Sequence, residues 1–192
     1  MSLNLIMGAR NGASNTREEN DFYATHPDAT RAFLDKLAKD GIELDHNIWE
    51  PACGQGHISK VLEEYGHEVF STDLINRGYG LGGIDFLSTD KDWYGDIMTN
   101  PPFKSATEFI RKAIDIIPQK NRVLMFVKIQ FLESEERRKL FEEYPPEYVY
   151  VYSKRQQCSM NGDFENLKAK TQCYCWIIWN KRNIGDTIIR WI

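Results

Sequence analysis

Residues 47–73 read NIWEPACGQGHISKVLEEYGHEVFSTD, and their order decides the fold. The short apolar run NIWEPA (47–52) leads into Gly54 and Gly56, as a strand entering a glycine turn would. Ile58 to Tyr65 follows as a helix closed by Gly66, and Glu68 to Thr72 is a second strand ending at Asp73. Strand, glycine turn, helix and strand in succession form the unit from which parallel sheets are built.

The same alternation continues outward. Upstream, His26-Pro27-Asp28 is a helix entrance, Ala32, Phe33, Leu37 and Ala38 recur at helical spacing, and Gly41 ends the helix. Downstream, a glycine-rich loop (Gly78 to Gly83) precedes Ile84-Asp85-Phe86-Leu87, and the brief strand Asp96 to Thr99 runs into Asn100-Pro101-Pro102-Phe103. Ala106 to Ile117 is a helix with Phe109, Ala113, Ile114 and Ile117 on its apolar side, and Arg122 to Val127 is a near-continuous apolar run. Such a run suits a strand buried on both faces. Glu133 to Tyr144 is a charged amphipathic helix. The last strands, Tyr148 to Tyr152 and Cys173 to Trp179, lack an intervening helix and could pair antiparallel through the polar, basic, irregular stretch Ser153 to Gln172. The expectation is an α/β chain with a mostly parallel sheet. Residues 1–20 read as a flexible N-terminal arm and residues 21–192 as a single domain.

Five tryptophans and nine tyrosines in 192 residues supply ample apolar area for a core and argue against disorder. The net charge of −4 is not that of a protein coating nucleic acid by bulk electrostatics, so a polynucleotide would need a local basic surface. No apolar run reaches the roughly 18 residues that span a bilayer, and Met1 to Met7 is too short and lacks a basic flank for a secretory signal. Cys53, Cys158, Cys173 and Cys175 lack the spacing of a zinc site and read as free thiols. A cytoplasmic location without membrane or metal is expected.

Glu50 stands four residues before Gly54, where a carboxylate could meet a cationic amino-acid moiety. Asp73, at the end of the next strand, could accept hydrogen bonds from ribose hydroxyls. A nicotinamide-binding fold would also want that acid, but Ser59 occupies the third glycine position of G-x-G-x-x-G. The bland alternatives are a structural turn, a capping Glu50 and a solvated Asp73.

Asn100-Pro101-Pro102-Phe103 belongs to the same sheet edge. An exocyclic amino group on a base is a poor nucleophile because its lone pair is delocalised into the ring. Accepting both of its N–H bonds draws the nitrogen toward tetrahedral geometry and frees that pair. The side-chain carbonyl of Asn100 can take one bond and the backbone carbonyl of Pro101 the other, on a path that the prolines stiffen. Phe103 offers a flat apolar face for a flipped base. Alone, the tetrapeptide would serve equally as a rigid turn; joined to the upstream glycine turn, it reads as the acceptor half of a two-part site.

Tyr23-Ala24-Thr25-His26-Pro27, then EPACGQG (50–56), then NPPF (100–103) resembles the amino-methylating DNA methyltransferases, specifically the small phage-type adenine-N6 enzymes. The likeness continues through Gln130-Phe131-Leu132-Glu133-Ser134 with Arg137-Arg138, Tyr150-Val151-Tyr152-Ser153-Lys154-Arg155 and Trp176-Ile177-Ile178-Trp179, covering about residues 22–192. It implies a Rossmann-like class I methyltransferase fold, with seven strands, the last reversed, and helices on both faces. It also implies S-adenosylmethionine as cofactor. Tyr23 and Thr25 would lie near its methionine part, Glu50, Ala52, Gly54 and Gly56 at the turn, Asp73 at the ribose, and Asp85 and Phe86 at the adenine, with Leu74 a further cofactor-binding position. Asn100, Pro101, Pro102 and Phe103 carry over as the acceptor site. The implied reaction is methyl transfer to adenine N6 in DNA, against RNA base amino groups, a glutamine side chain or an idle cofactor-binding domain as alternatives. Candidates for polynucleotide contact are Lys104, the cluster Arg137-Arg138-Lys139, and Lys154, Arg155, Lys168 and Lys170 with Phe164; each cluster would serve equally as a solvated face.

Overall fold

The computed structural model describes residues 22–160, 162–164, 172–183 and 185–192. The N-terminal arm, Lys168 and Lys170 lie outside the described residues. In chain order the elements are β1 (Tyr23–Thr25), α1 (Pro27–Lys39), β2 (Asn47–Glu50), α2 (Ser59–Glu64), β3 (Glu68–Asp73), β4 (Leu81–Gly82) and β5 (Asp96–Thr99). There follow α3 (Ala106–Ile116), β6 (Arg122–Lys128), α4 (Glu135–Glu143), β7 (Tyr148–Val151), β8 (Cys158–Met160), β9 (Tyr174–Asn180) and β10 (Ile188–Trp191). Helix starts follow from local chemistry. His26 caps α1 by accepting the Asp28 N–H at 3.2 Å ahead of Pro27, and Ser134 caps α4 by accepting the Arg137 N–H at 3.2 Å.

The main sheet has the order β10-β7-β9-β6-β5-β2-β3-β4. All neighbours are parallel except that β9 runs against both β6 and β7. The expected antiparallel pairing of β7 with β9 is therefore present. The sheet holds eight strands rather than the seven expected, and the reversed strand is the next to last. β10 follows it and adds to β7 as a parallel edge. Its Ile188, Ile189 and Trp191 remain largely exposed, so no one-sided apolar alternation marks it in the sequence. A separate two-stranded ribbon pairs β1 with β8, placing Thr25 opposite Cys158 and Tyr23 opposite Met160. It gives order to part of the stretch expected to be irregular.

Alternation along the central strands divides the core into two. Val123, Met125 and Val127 of β6 and Cys175, Ile177 and Trp179 of β9 face α3 and α4. Leu124 and Phe126, with Trp176 and Ile178, face α1 and α2. On that second face Phe33 stacks on Trp176 with centroids 4.6 Å apart, Trp176 Nε1 donates to the Tyr152 hydroxyl (2.8 Å), and that hydroxyl donates to the Ala29 carbonyl (2.6 Å). Helix α1 is thereby fixed to β9. At the amino edge Asp96, 2% exposed, accepts the backbone N–H groups of Asp45 and Arg122 and the Asn121 amide. The polar cluster there serves the backbone and leaves the opposite edge for chemistry. Among the described residues no helix is long and apolar enough to cross a membrane.

Phe33 is wholly buried, so Phe33→Ala should cost about 3–5 kcal/mol in urea unfolding monitored by tryptophan fluorescence.

Candidate active site

The parallel strands β2, β3 and β5 all end at one edge, where their loops enclose a cavity of about 360 Å3. Its wall brings together Tyr23, Thr25, Glu50, Ala52, Asp73, Leu74, Asp85, Phe86, Asn100, Pro101, Pro102, Phe103 and Lys104, residues far apart in the chain. Gly54 and Gly56 stand behind the wall and shape it, with φ of +54° and +77°. A Cβ at Gly54 would also collide with the Phe22 ring.

Asp73 clasps the glycine turn. Its Oδ2 accepts the Gly54 N–H and its Oδ1 the Ile75 N–H, both at 2.8 Å. Glu50 is 2% exposed. Its Oε2 accepts the Ser59 N–H (2.8 Å) and the Ser59 hydroxyl, which also meets Ser71 Oγ at 2.7 Å. Ser59, which breaks the dinucleotide glycine pattern, is thus the anchor of this carboxyl group. Burial pushes the Glu50 carboxyl up to about 8 against the Ser59 hydrogen bonds, with the Asp73 charge adding in the same direction. A cation brought alongside would restore the ionised form.

Asp85 spends its carboxylate on its own turn, accepting the Leu87 N–H (3.0 Å) and the Ser88 hydroxyl (2.5 Å). Phe86 is buried beneath, against Trp49 and Phe109. The apolar surface presented here comes instead from Leu74, Ile84 and Leu87, each more than a third exposed although large and apolar. Sequence reasoning missed Ile84 and Leu87, as well as Phe22, His57 and Arg77, which also line the cavity. Their only signal was adjacency: Arg77, Ile84 and Leu87 to the glycine-rich loop and Asp85, His57 to the glycine turn, and Phe22 to Tyr23. The Arg77 guanidinium lies over the Phe22 ring, 4.9 Å from its centroid.

On the other side, Asn100 Nδ2 donates to the Tyr23 carbonyl (2.7 Å) and to Thr25 Oγ1 (3.1 Å). A carbonyl only accepts, so this pair fixes which end of the amide is nitrogen and leaves Oδ1 as the acceptor. Tyr23 and Thr25 line the cavity, and the partner of both there is Asn100. The Pro102 carbonyl takes the Ser105 N–H at 3.1 Å, whereas the Pro101 carbonyl has no hydrogen bond among the described residues. Phe103 is 37% exposed; its ring lies 5.3 Å from that of Tyr23, with Lys128 Nζ 4.7 Å from its centroid.

The basic candidates divide. Lys104 is at the cavity, and Lys154 and Arg155 are exposed between β7 and β8. Arg137 is occupied by the base of α4: it donates to the Gln130 and Glu133 carbonyls and covers the Phe131 ring. Arg138 pairs with Glu142 at 3.4 Å. Among the described residues no group of three or more His, Cys, Asp or Glu side chains could hold a metal ion.

No protein-family model matches the chain, and no curated protein matches it significantly. Solved structures do. A Listeria monocytogenes protein proposed to be a class I S-adenosylmethionine-dependent methyltransferase superposes with a TM-score of 0.61 at 12% identity, over 88% of this chain and 65% of that one. The fold is that of the class I methyltransferases. The methyltransferase subunit of a type I restriction-modification system from Streptococcus thermophilus shares it, with a TM-score of 0.60 at 13% identity over 85% of this chain and 46% of the subunit. So does magnesium protoporphyrin IX methyltransferase from Synechocystis, solved with S-adenosylmethionine bound, with a TM-score of 0.54 at 12% identity over 80% of this chain and 79% of that one. This chain thus spans just under two thirds of the Listeria protein and less than half of the restriction-modification subunit. Class I methyltransferase architecture carries unlike acceptors, so the acceptor has to be argued from the site.

Glu50 also sets a pH dependence. With its folded pKa raised, the folded chain keeps a proton that the unfolded chain has lost between about pH 4.5 and 8, so stability from this group declines as pH rises through that window. Urea unfolding of the ligand-free protein should show this decline, and Glu50→Gln should flatten it.

Proposed function

We propose that this chain is an S-adenosylmethionine-dependent methyltransferase acting on an exocyclic amino group, with adenine N6 in DNA as the acceptor. The observation that carries the reading is the fixed amide of Asn100, whose Nδ2 is fully engaged and whose Oδ1 is left to accept. The cavity volume falls within the roughly 300–1,000 Å3 typical of small-molecule sites. Its parts fit the cofactor: Glu50 for the cationic amino-acid end, Asp73 for hydroxyls, and Leu74, Ile84 and Leu87 for a flat base. Bound there, the cofactor supplies a sulfonium methyl group.

The residues of this chain do the rest by position. Asn100 Oδ1 and the Pro101 carbonyl accept the two N–H bonds of the target amino group and free its lone pair for in-line attack. With the cofactor bound, the methyl C–S bond would break as the new N–C bond formed, its electron pair going to sulfur, and the nitrogen would release one proton to solvent. Phe103 stacks the extruded base. Adenine in DNA rather than RNA rests on the resemblance of the NPPF, glycine-turn and later segments.

Methyl-tritiated cofactor offered to unmethylated DNA, to RNA and to protein extract tests the reading, with label expected in DNA adenine. Label confined to protein would overturn it, and tight cofactor binding without transfer to any polymer would point to a regulatory domain. Asn100→Ala should lower kcat by about a hundredfold or more while cofactor affinity is retained. Thr25→Val, which removes one partner of Nδ2, should lower kcat by only about fivefold, the equivalent of one ordinary hydrogen bond.

A further inference from the structure

Lys128 ends β6 at the same sheet edge as Asn100 and is half-buried, with its ammonium over the Phe103 ring. Lys36 and Lys120 meet Asp40 and Asp45, and Lys60 and Lys181 donate to backbone carbonyls. Among the described residues no carboxylate pairs with Lys128, nor with Lys104 next to Phe103 at the cavity wall. The acceptor side thus carries one ammonium over the Phe103 ring, that of Lys128, and a second lysine, Lys104, exposed at the cavity wall, in a chain whose net charge is −4. A half-buried ammonium held against a ring, with no carboxylate beside it, is free to take an anion at that face. Beside an amino-methylating site, the anion that chemistry supplies is a phosphodiester next to the acceptor base.

We propose that Lys128, together with Lys104, holds the phosphodiester attached to the acceptor nucleotide, so that the substrate is a nucleotide within a strand and not a free base or a side-chain amide. The proposal rests on the amino-methyltransferase reading and adds to it a positioning residue absent from the sequence-level candidates. Lys128 orients the acceptor through its backbone and does not touch the reacting nitrogen.

The test is fluorescence anisotropy of an adenine-containing oligonucleotide duplex over a salt series, with S-adenosylhomocysteine present. Each phosphate neutralised contributes about 0.9 to the slope of log affinity against log salt on a duplex. Lys128→Met should weaken binding about tenfold at low salt, the cost of one charge-assisted hydrogen bond, and make the slope shallower by about 0.9, while Lys128→Arg keeps it. Calorimetry should give the same S-adenosylhomocysteine affinity for wild type and Lys128→Met. A lysine that merely packs on Phe103 would leave the slope unmoved. Lys104→Met, at an exposed position, reads the same slope if Lys128→Met fails to fold. Wild-type binding with unchanged slopes in both Met variants overturns this inference and leaves the proposed reaction standing. Absence of any oligonucleotide binding by the wild-type protein overturns this inference, and transfer to protein alone overturns the reaction as well.

Discussion

Seven antiparallel rungs join β6 to β9, from Arg122 opposite Asn180 to Lys128 opposite Tyr174, and the sheet is organised around them. Both strands are buried on both faces, so their register is fixed by two cores at once. A slip of one residue would turn Trp176 from the α1 side to the α3 side and exchange every neighbour with it. Because β9 runs backward, it gives β6 one partner and β7 another without a crossover, and β7 and β10 extend the sheet from there. The remaining strands, from β5 to β4, extend from the other side of β6, and β2, β3 and β5 bring their carboxyl ends to the cavity.

Within that frame the site is held by carboxylates and amides that face backbone. Asp73 ties the glycine turn to the end of β3, and Glu50 is bound to the start of α2 through Ser59. Asn100 is bound to β1. Asp73 reaches 19 positions to the Gly54 N–H, Glu50 nine to Ser59 and Asn100 77 to the Tyr23 carbonyl, so the groups facing the cavity are preorganised by the fold. A site that works by geometry needs this stiffness.

How much of this was legible follows from how much each residue depends on distant ones. The glycine turn, the doubly buried run of β6 and the tetrapeptide at Asn100 carry their meaning in adjacent residues, and the structure places them where the sequence implied. The edge strand β10 does not, because Ile188, Ile189 and Trp191 stay exposed, and the β1–β8 ribbon, although buried at Ala24, Thr25 and Ser159, is only three residues a side, too short to show a period. Arg137 looked like a free cation because sequence shows charge and hides the carbonyls of Gln130 and Glu133 that occupy it. The reach of Asn100 to Tyr23 and Thr25 spans 77 and 75 positions, and no local pattern encodes a hydrogen bond of that kind.

The β1–β8 ribbon bears on the order in which competence arises as the chain is made. The strand that carries the Tyr23 carbonyl and the Thr25 hydroxyl is completed by Cys158–Met160, which emerge from the ribosome long after the glycine turn and the loop of Asn100. Contacts between such distant segments form late, because the loop between them must close first. The hold on Asn100 is therefore set only after both ends of the chain's long interval between β1 and β8 have been made.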